Sequence, residues 1–307
     1  MPLHPQARSL IDLIDSIDEP PIEQQDPATA RASREALIRP SAIEVGEHRD
    51  LDAGGVPARL YRPTTVSADD LSGLLVWFHG GGWVLGSVAG HDDLCRALCV
   101  ASGHRVLSVE YRLAPEDPFP AGLTDAINST RWAHAHAADL GVDPSRIAVG
   151  GDSAGGNLAA AVAQLAPVPL RYQTLVYPVL DARRTSASYR DNAEGCFLTA
   201  TAMGWFIDHY LSGGQGTPDD PRVSPALAPD EAVAASPPGL VITAQYDVLH
   251  DEGAAYADRL AANGVVTSHV TFHGQIHGFV SMADLLDDAH AARGLIGTAL
   301  ARALGPT

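Results

Sequence analysis

Six short runs rich in Val, Leu and Ile recur along the chain, and longer Ala-rich segments with a helical period separate several of them. This alternation restricts the possible folds more than any other feature. The runs are GLLVWFHG (73–80), HRVLSVEYRL (104–113), RIAVGG (146–151), RYQTLVYP (171–178), GLVITAQYD (239–247) and SHVTFHG (268–274). Between them lie HDDLCRALCVAS, DAINSTRWAHAHAADL, NLAAAVAQLA and DEGAAYADRLAANG, the last stopped by Asn263-Gly264. Strands linked through helices build a mostly parallel sheet covered by helices, the α/β class. Ahead of them, AIEVGEHRDLDAGGVPARLYRP (42–63) predicts an antiparallel hairpin turning near Ala53-Gly54-Gly55, which brings the total to about eight strands.

Two segments break the rhythm. Residues 1–40 carry one or two amphipathic helices broken at Pro20-Pro21, and residues 181–237 form a polar, Gly- and Pro-rich insertion containing AMGWFIDHYL. Long insertions in α/β domains often form lids. Apolar side chains such as Leu10, Leu13, Ile14, Trp205 and Phe206 need a partner surface, and the rim of the sheet is the nearest one. The expected organisation is N-terminal cap helices over 1–40 and a main domain over 41–307, with a cap insertion within 181–237.

Composition removes several classes of function. A chain of 307 residues, 46% hydrophobic and 19% charged, can bury one large core. Its net charge of −17 suits neither nucleic-acid phosphates nor anionic lipid, so no nucleic-acid partner is expected. All 20 basic residues are Arg, which excludes a Schiff-base lysine and the lysine of a phosphate-binding P-loop. Cys95, Cys99 and Cys196 cannot make a disulfide framework, and Cys95 and Cys99 share a helix face without a His-x-x-His partner, so buried thiols are the reading. His134 and His136 point to different helix faces and make poor metal partners; no metal site is expected. The N-terminus lacks a basic region followed by an apolar one, and no apolar run approaches ~18 residues. The expectation is a cytoplasmic protein without a membrane span.

Against this frame, Gly151-Asp152-Ser153-Ala154-Gly155 falls between a strand and a helix and matches G-x-S-x-G. That pattern describes a tight strand-to-helix turn that presents a serine hydroxyl at the carboxyl edge of the sheet and tolerates no bulky neighbours. The amide of Ala154 then points above Ser153, where a developing oxyanion could sit. Taken alone, five common residues match by chance often. A second loop, HGGGW from His79 to Trp83, follows a strand and offers consecutive unobstructed amides; those of Gly81 and Gly82 would join Ala154 in an oxyanion hole. A dinucleotide loop competes for this stretch, but the last glycine of G-x-G-x-x-G is missing and no lysine follows.

HGGGW, YRLAPE (111–116), GDSAGG (151–156), DVLHDEG (247–253) and HGF (277–279), in this order, resemble the hormone-sensitive-lipase-type (bacterial family IV) esterases of the α/β-hydrolase fold. The resemblance spans nearly the whole chain. It implies an eight-stranded α/β-hydrolase core, a cap from the N-terminal helices and an insertion, carboxylesterase activity on short to medium acyl esters, and no cofactor. In this fold the nucleophile is followed by an acid after a late strand and a histidine after the last one. Asp247 ends GLVITAQYD and is preferred to Asp251, which is placed to open a helix. His277 matches the family's His-Gly-Phe; its rival His273 does not.

The roles follow as expectations: Ser153 as nucleophile, His277 as base and then acid, and Asp247 to fix the imidazole. His79 and the segment Tyr111–Glu116 would brace the glycine loop. Trp83, Trp205 and Phe206 are the candidate substrate-binding side chains, and the partner is a small-molecule ester. An arylformamidase-like amide hydrolase shares this triad and stays open as an alternative. A hydrolysis-dead receptor of the gibberellin type lacks the histidine that His277 supplies. The natural substrate and the oligomeric state, a homodimer included, stay open.

Overall fold

The computed structural model describes residues 2–17 and 19–306. At its centre lies one sheet of β1 (Glu47–Asp52), β2 (Pro57–Arg62), β3 (Ser72–Phe78), β4 (Arg105–Val109), β5 (Val142–Asp152), β6 (Tyr172–Val176), β7 (Gly239–Tyr246) and β8 (Thr267–Ile276). In space the order is β1-β2-β4-β3-β5-β6-β7-β8. The β1–β2 and β2–β4 pairs are antiparallel, and the other neighbouring pairs are parallel. β5 starts earlier than the RIAVGG run because Val142 pairs with Ser72 across an irregular register between Ser72 and Leu74.

The helices among the described residues are α1 (Pro5–Asp15), α2 (Pro27–Glu35), α3 (Asp92–Ser102), α4 (Ala121–Ala135), α5 (Ala154–Leu165), α6 (Ser188–Asp191), α7 (Ala200–Tyr210), α8 (Asp230–Ala234), α9 (His250–Ala262) and α10 (Asp287–Leu304). None is long and apolar enough to cross a membrane. β3 is buried along its whole length, which explains why SGLLVWF carries no polar alternation. Its side chains divide with the period of two: Leu74, Val76 and Phe78 enter a core layer with Leu123 of α4, Leu158 of α5 and Leu260 of α9. Leu75 and Trp77 enter the opposite layer with Leu98 of α3 and Ile296 of α10. Each large apolar side chain so enclosed stabilises the fold by about 1.5–3 kcal/mol.

The N-terminal segment separates into two parts. α1, entered through Pro5 and anchored by the His4 amide on the Gly274 carbonyl (2.8 Å), packs Ala7, Leu10 and Ile11 into the layer that holds Ile242 and Phe279. Leu13 and Ile14, grouped with Leu10 in the sequence reading, remain 55% and 37% exposed and do not roof the sheet. The burial is lengthwise: Ala7, Leu10 and Ile11 in the first turns are covered, and Leu13 and Ile14 one turn on are not. α2, in contrast, buries Ala30 in the layer that contains the glycine loop. In the insertion, α7 sends Met203, Phe206, Ile207 and Tyr210 into that same layer.

Candidate active site

β5 runs directly into Ser153, and α5 begins at the next residue. The turn is so sharp that Ser153 adopts φ 57°, ψ −117°, a conformation that non-glycine residues rarely hold. Backbone hydrogen bonds over-determine it: the Ser153 amide donates to Val176 O (2.9 Å), while its carbonyl accepts from the amides of Asn157 (3.0 Å) and Val179 (3.2 Å). The bare backbone around the hydroxyl also has a steric cause. A methyl group at Gly155 would overlap the Phe78 carbonyl, so no other residue lets α5 approach β3 this closely.

The structure brings Ser153, His277 and Asp247 together. His277 Nε2 lies 3.0 Å from Ser153 Oγ, and its Nδ1 lies 2.7 Å from Asp247 Oδ2. Because a carboxylate accepts, Nδ1 carries the proton and Nε2 is left to accept from the serine hydroxyl. Asp247 is fully buried, and its other oxygen takes the Leu249 amide at 2.9 Å. The Tyr177 ring leans on the imidazole, with centroids 4.6 Å apart. Asp251 and His273 lie elsewhere. Asp251 accepts the Ser188 amide (2.8 Å) and meets His250 (3.0 Å), and His273 is exposed.

The glycine loop stands beside Ser153. Its first amide is occupied, since Gly80 N–H donates to Asp152 Oδ1 at 3.1 Å. The amides of Gly81, Gly82 and Ala154 meet no acceptor among the described residues. Gly82 has φ +61° and lies so close to the Phe206 ring that a side chain there would collide with it. His79 is enclosed: it stacks on Tyr111 (4.2 Å), its Nδ1 meets Gly80 O (2.9 Å), and its carbonyl accepts the Tyr111 hydroxyl (2.8 Å). Burial, with His91 alongside, pushes its imidazole down to about 3, so it stays neutral.

Three features escaped the sequence reading. His91 meets Asp152 Oδ2 at 3.2 Å, tying the residue before Ser153 to the start of α3. Burial alone would raise the Asp152 carboxyl, but the charge and hydrogen bond of His91 leave it below the ordinary range. Burial likewise opposes a charged His91, yet the Asp152 carboxylate outweighs it and lifts the imidazole above its usual value. In the insertion, Ser188 Oγ donates to Val248 O (2.6 Å) and Asn192 Nδ2 to Asp247 O (2.9 Å), so α6 and its C-terminal cap grip the loop that carries Asp247. Arg31 of α2 contacts the glycine loop from the other side. No local signal marks these residues; they are ordinary helix-terminal or surface-type residues until the chain folds.

The candidate substrate-binding residues occupy three different settings. Trp83 is buried, stacked flat on Tyr210 at 4.2 Å. Phe206 covers Gly82. Trp205 is half-buried and lines an open groove of about 540 Å³ with Glu23, Arg184 and Asp208. Ser153 and His277 are each 7% exposed, so both are almost wholly buried.

Comparison with known proteins identifies the fold and the family. A family model described as the alpha/beta hydrolase fold matches residues 75–281. The carboxylic ester hydrolase LipN of Mycobacterium tuberculosis is 43% identical over 242 residues, covering 76% of this chain and 63% of that longer protein. The carboxylesterase NlhH of the same species is 41% identical, covering 81% and 79% of the two chains, and an ethyl acetate hydrolase of Pseudomonas putida is 38% identical, covering 78% and 76%. Among solved structures, an ester-hydrolase from the Lake Arreo metagenome superposes with TM-score 0.93 at 38% identity, covering 99% and 100% of the chains. A thermostable esterase from Pseudomonas putida superposes with TM-score 0.92 at 36% identity, covering 100% and 99%. With its fold, its ordered motifs and these relatives, the chain belongs to the hormone-sensitive-lipase-type (bacterial family IV) serine carboxylesterases of the α/β-hydrolase fold.

Proposed function

We propose that this protein hydrolyses small carboxylic esters with short to medium acyl chains through an acyl-enzyme on Ser153. The observation that carries the reading is the continuous relay from Ser153 Oγ through His277 to Asp247, at 3.0 and 2.7 Å, beside three amides with no acceptor among the described residues. A serine hydroxyl is a weak nucleophile. His277 Nε2 takes its proton as Oγ attacks the ester carbonyl, and Asp247 holds the tautomer and offsets the imidazolium charge. The tetrahedral oxyanion is received by the Gly81, Gly82 and Ala154 amides, which need no reorientation to bind it. His277 returns the proton to the departing alcohol. Water, deprotonated by the same imidazole, then releases the acid through a second oxyanion.

The acyl preference rests on the roof. α2 and α7 close over the glycine loop, with Phe206 against Gly82 and Trp205 on the open flank. An enclosed apolar site gains about 0.8 kcal/mol per buried methylene until it is full, after which further carbons stay in water or clash. Activity therefore peaks at about four to eight acyl carbons, in line with the family resemblance, and falls for longer chains. The test is a series of 4-nitrophenyl esters from acetate to palmitate, with N-formyl aryl amines alongside, on the wild type and Ser153→Ala. The expected result is a butyrate-to-octanoate maximum that Ser153→Ala abolishes without loss of fold. Faster palmitate than butyrate turnover refutes the roofed site, faster formamide cleavage favours the amide-hydrolase alternative, and an active Ser153→Ala removes the nucleophile.

A further inference from the structure

The cap helix α2 reaches the glycine loop through one side chain. Arg31 Nε donates to Val84 O (2.7 Å), Nη2 donates to Ala114 O (2.7 Å), and Nη1 and Nη2 meet both oxygens of Glu116 (2.8 Å each). The two carbonyls lead back to the loop. Val84 and Leu85 donate their amides to Gly81 O at 3.1 and 2.8 Å, closing the turn that orients Gly81 and Gly82, and Ala114 N–H donates to Trp83 O at 2.9 Å. The loop's opposite side is held by α7, through Trp83 stacked on Tyr210 and Gly82 under Phe206. The loop thus lies between two cap elements, and Arg31 supplies the polar half of the grip. Its planar fork satisfies two carbonyls and a carboxylate at once, which a lysine cannot do.

We propose that Arg31 is a positioning residue of the oxyanion site: through the Val84 and Ala114 carbonyls it sets the turn that aims the Gly81 and Gly82 amides at Ser153. The proposal rests on the ester-hydrolase reading above. It assigns the N-terminal cap a task beyond enclosing the acyl chain, since an open cap is also a misaligned oxyanion hole. Arg31 touches no reacting atom, so removing it acts on the transition state through the loop and leaves the ester's ground-state contacts in place.

The experiment compares wild type, Arg31→Gln, Arg31→Lys and Arg31→Gly on 4-nitrophenyl butyrate, with inhibition by an alkyl trifluoromethyl ketone, which the nucleophile converts to a hemiketal oxyanion. Displacing an oxyanion donor by a fraction of an ångström corresponds to a loss of about 10- to 100-fold in kcat, with KM moving by no more than about twofold. The inhibition constant for the ketone rises by the same factor as kcat falls. Arg31→Lys recovers only part of the activity, and added methylguanidinium partly rescues Arg31→Gly. A merely structural role predicts a lower Tm with kcat and ketone affinity unchanged below it, and that result overturns the proposal. Should Arg31→Gln fail to fold, Arg31→Lys decides the matter, because full kcat in that variant refutes the two-carbonyl grip. Ser153→Ala is run in parallel: if it stays active, the ester-hydrolase reading has failed, whereas a dead Ser153→Ala beside fully active Arg31 variants sinks the positioning role alone.

Discussion

Replacing Asp247 by Asn tests the proposed catalytic relay at its most buried member. The substitution keeps the shape and removes only the ability to accept on both oxygens. In the native site Oδ1 takes the Leu249 amide at 2.9 Å, and Oδ2 takes the His277 Nδ1 proton at 2.7 Å. An asparagine can satisfy one of these. If its oxygen stays on the Leu249 amide, its NH2 faces Nδ1, the imidazole switches tautomer, and Nε2 carries a proton that blocks the transfer from Ser153. If the oxygen turns to His277, the NH2 confronts the Leu249 N–H inside a fully buried pocket, where an unmet donor costs about 1–3 kcal/mol. The first arrangement is favoured, and the corresponding change in serine proteases lowers kcat by roughly 10⁴, or about 5 kcal/mol of transition-state stabilisation at 25 °C. Initial rates on 4-nitrophenyl butyrate with active-site titration measure this directly. Asp251→Asn is the control: Asp251 holds the Ser188 amide and His250, so its loss acts on the α6 contact and on Tm. A loss of less than about tenfold for Asp247→Asn, or a larger kcat loss for Asp251→Asn, refutes the assignment of the acid.

Gly155→Ala forces a methyl onto the Phe78 carbonyl, so its thermal midpoint falls well beyond the ordinary overpacking cost of about 1–3 kcal/mol; an unchanged midpoint contradicts the close contact of α5 with β3. Gly82→Ala combines φ +61° with a collision against Phe206, and its kcat loss is partly reversed by adding Phe206→Ala; no recovery in the double variant argues against that contact. Stability falls on acidification below about pH 6.5, because His79, held at about 3, binds protons more readily unfolded; its contribution is complete above its ordinary 6.5 and is lost towards its folded value. The slope from His79 is at most about 1.4 kcal/mol per pH unit. His104, burial-lowered to about 4, adds in the same direction, whereas His91, raised beside Asp152, stabilises at low pH and loses that effect as pH rises through its folded value. Urea midpoints of the wild type and His79→Gln at about pH 7 and about pH 5 isolate the His79 contribution, and an acid-induced drop of equal size in both proteins contradicts a neutral buried His79.

The parts of this protein legible in one dimension are those whose cause is local. Period and length marked the strands, so GLLVWFHG (73–80) could be placed as a strand before any helix was packed on it. GDSAGG and HGGGW announced a tight turn and an unobstructed amide loop through their own small residues, although the atoms that exclude a side chain at Gly155 and Gly82 belong to Phe78 and Phe206, far off in sequence. The choice of Asp247 over Asp251 and of His277 over His273 was made from strand order and motif. The 2.7 Å contact between Asp247 and His277 joins residues 30 apart, which no local pattern displays.

What the tertiary structure decided is longer in range. Arg31 meets carbonyls 53 and 83 positions away, and His91 meets a carboxylate 61 positions on. Neither side chain differs, in its own stretch of sequence, from a solvated arginine or a helix-opening histidine. The N-terminal helix shows the same limit: Leu10, Leu13 and Ile14 share an amphipathic pattern, yet Leu10 meets the sheet and the other two meet water. A hydrophobic period states that a face must be covered, and only the arrangement of the other elements decides how far along the helix that cover extends.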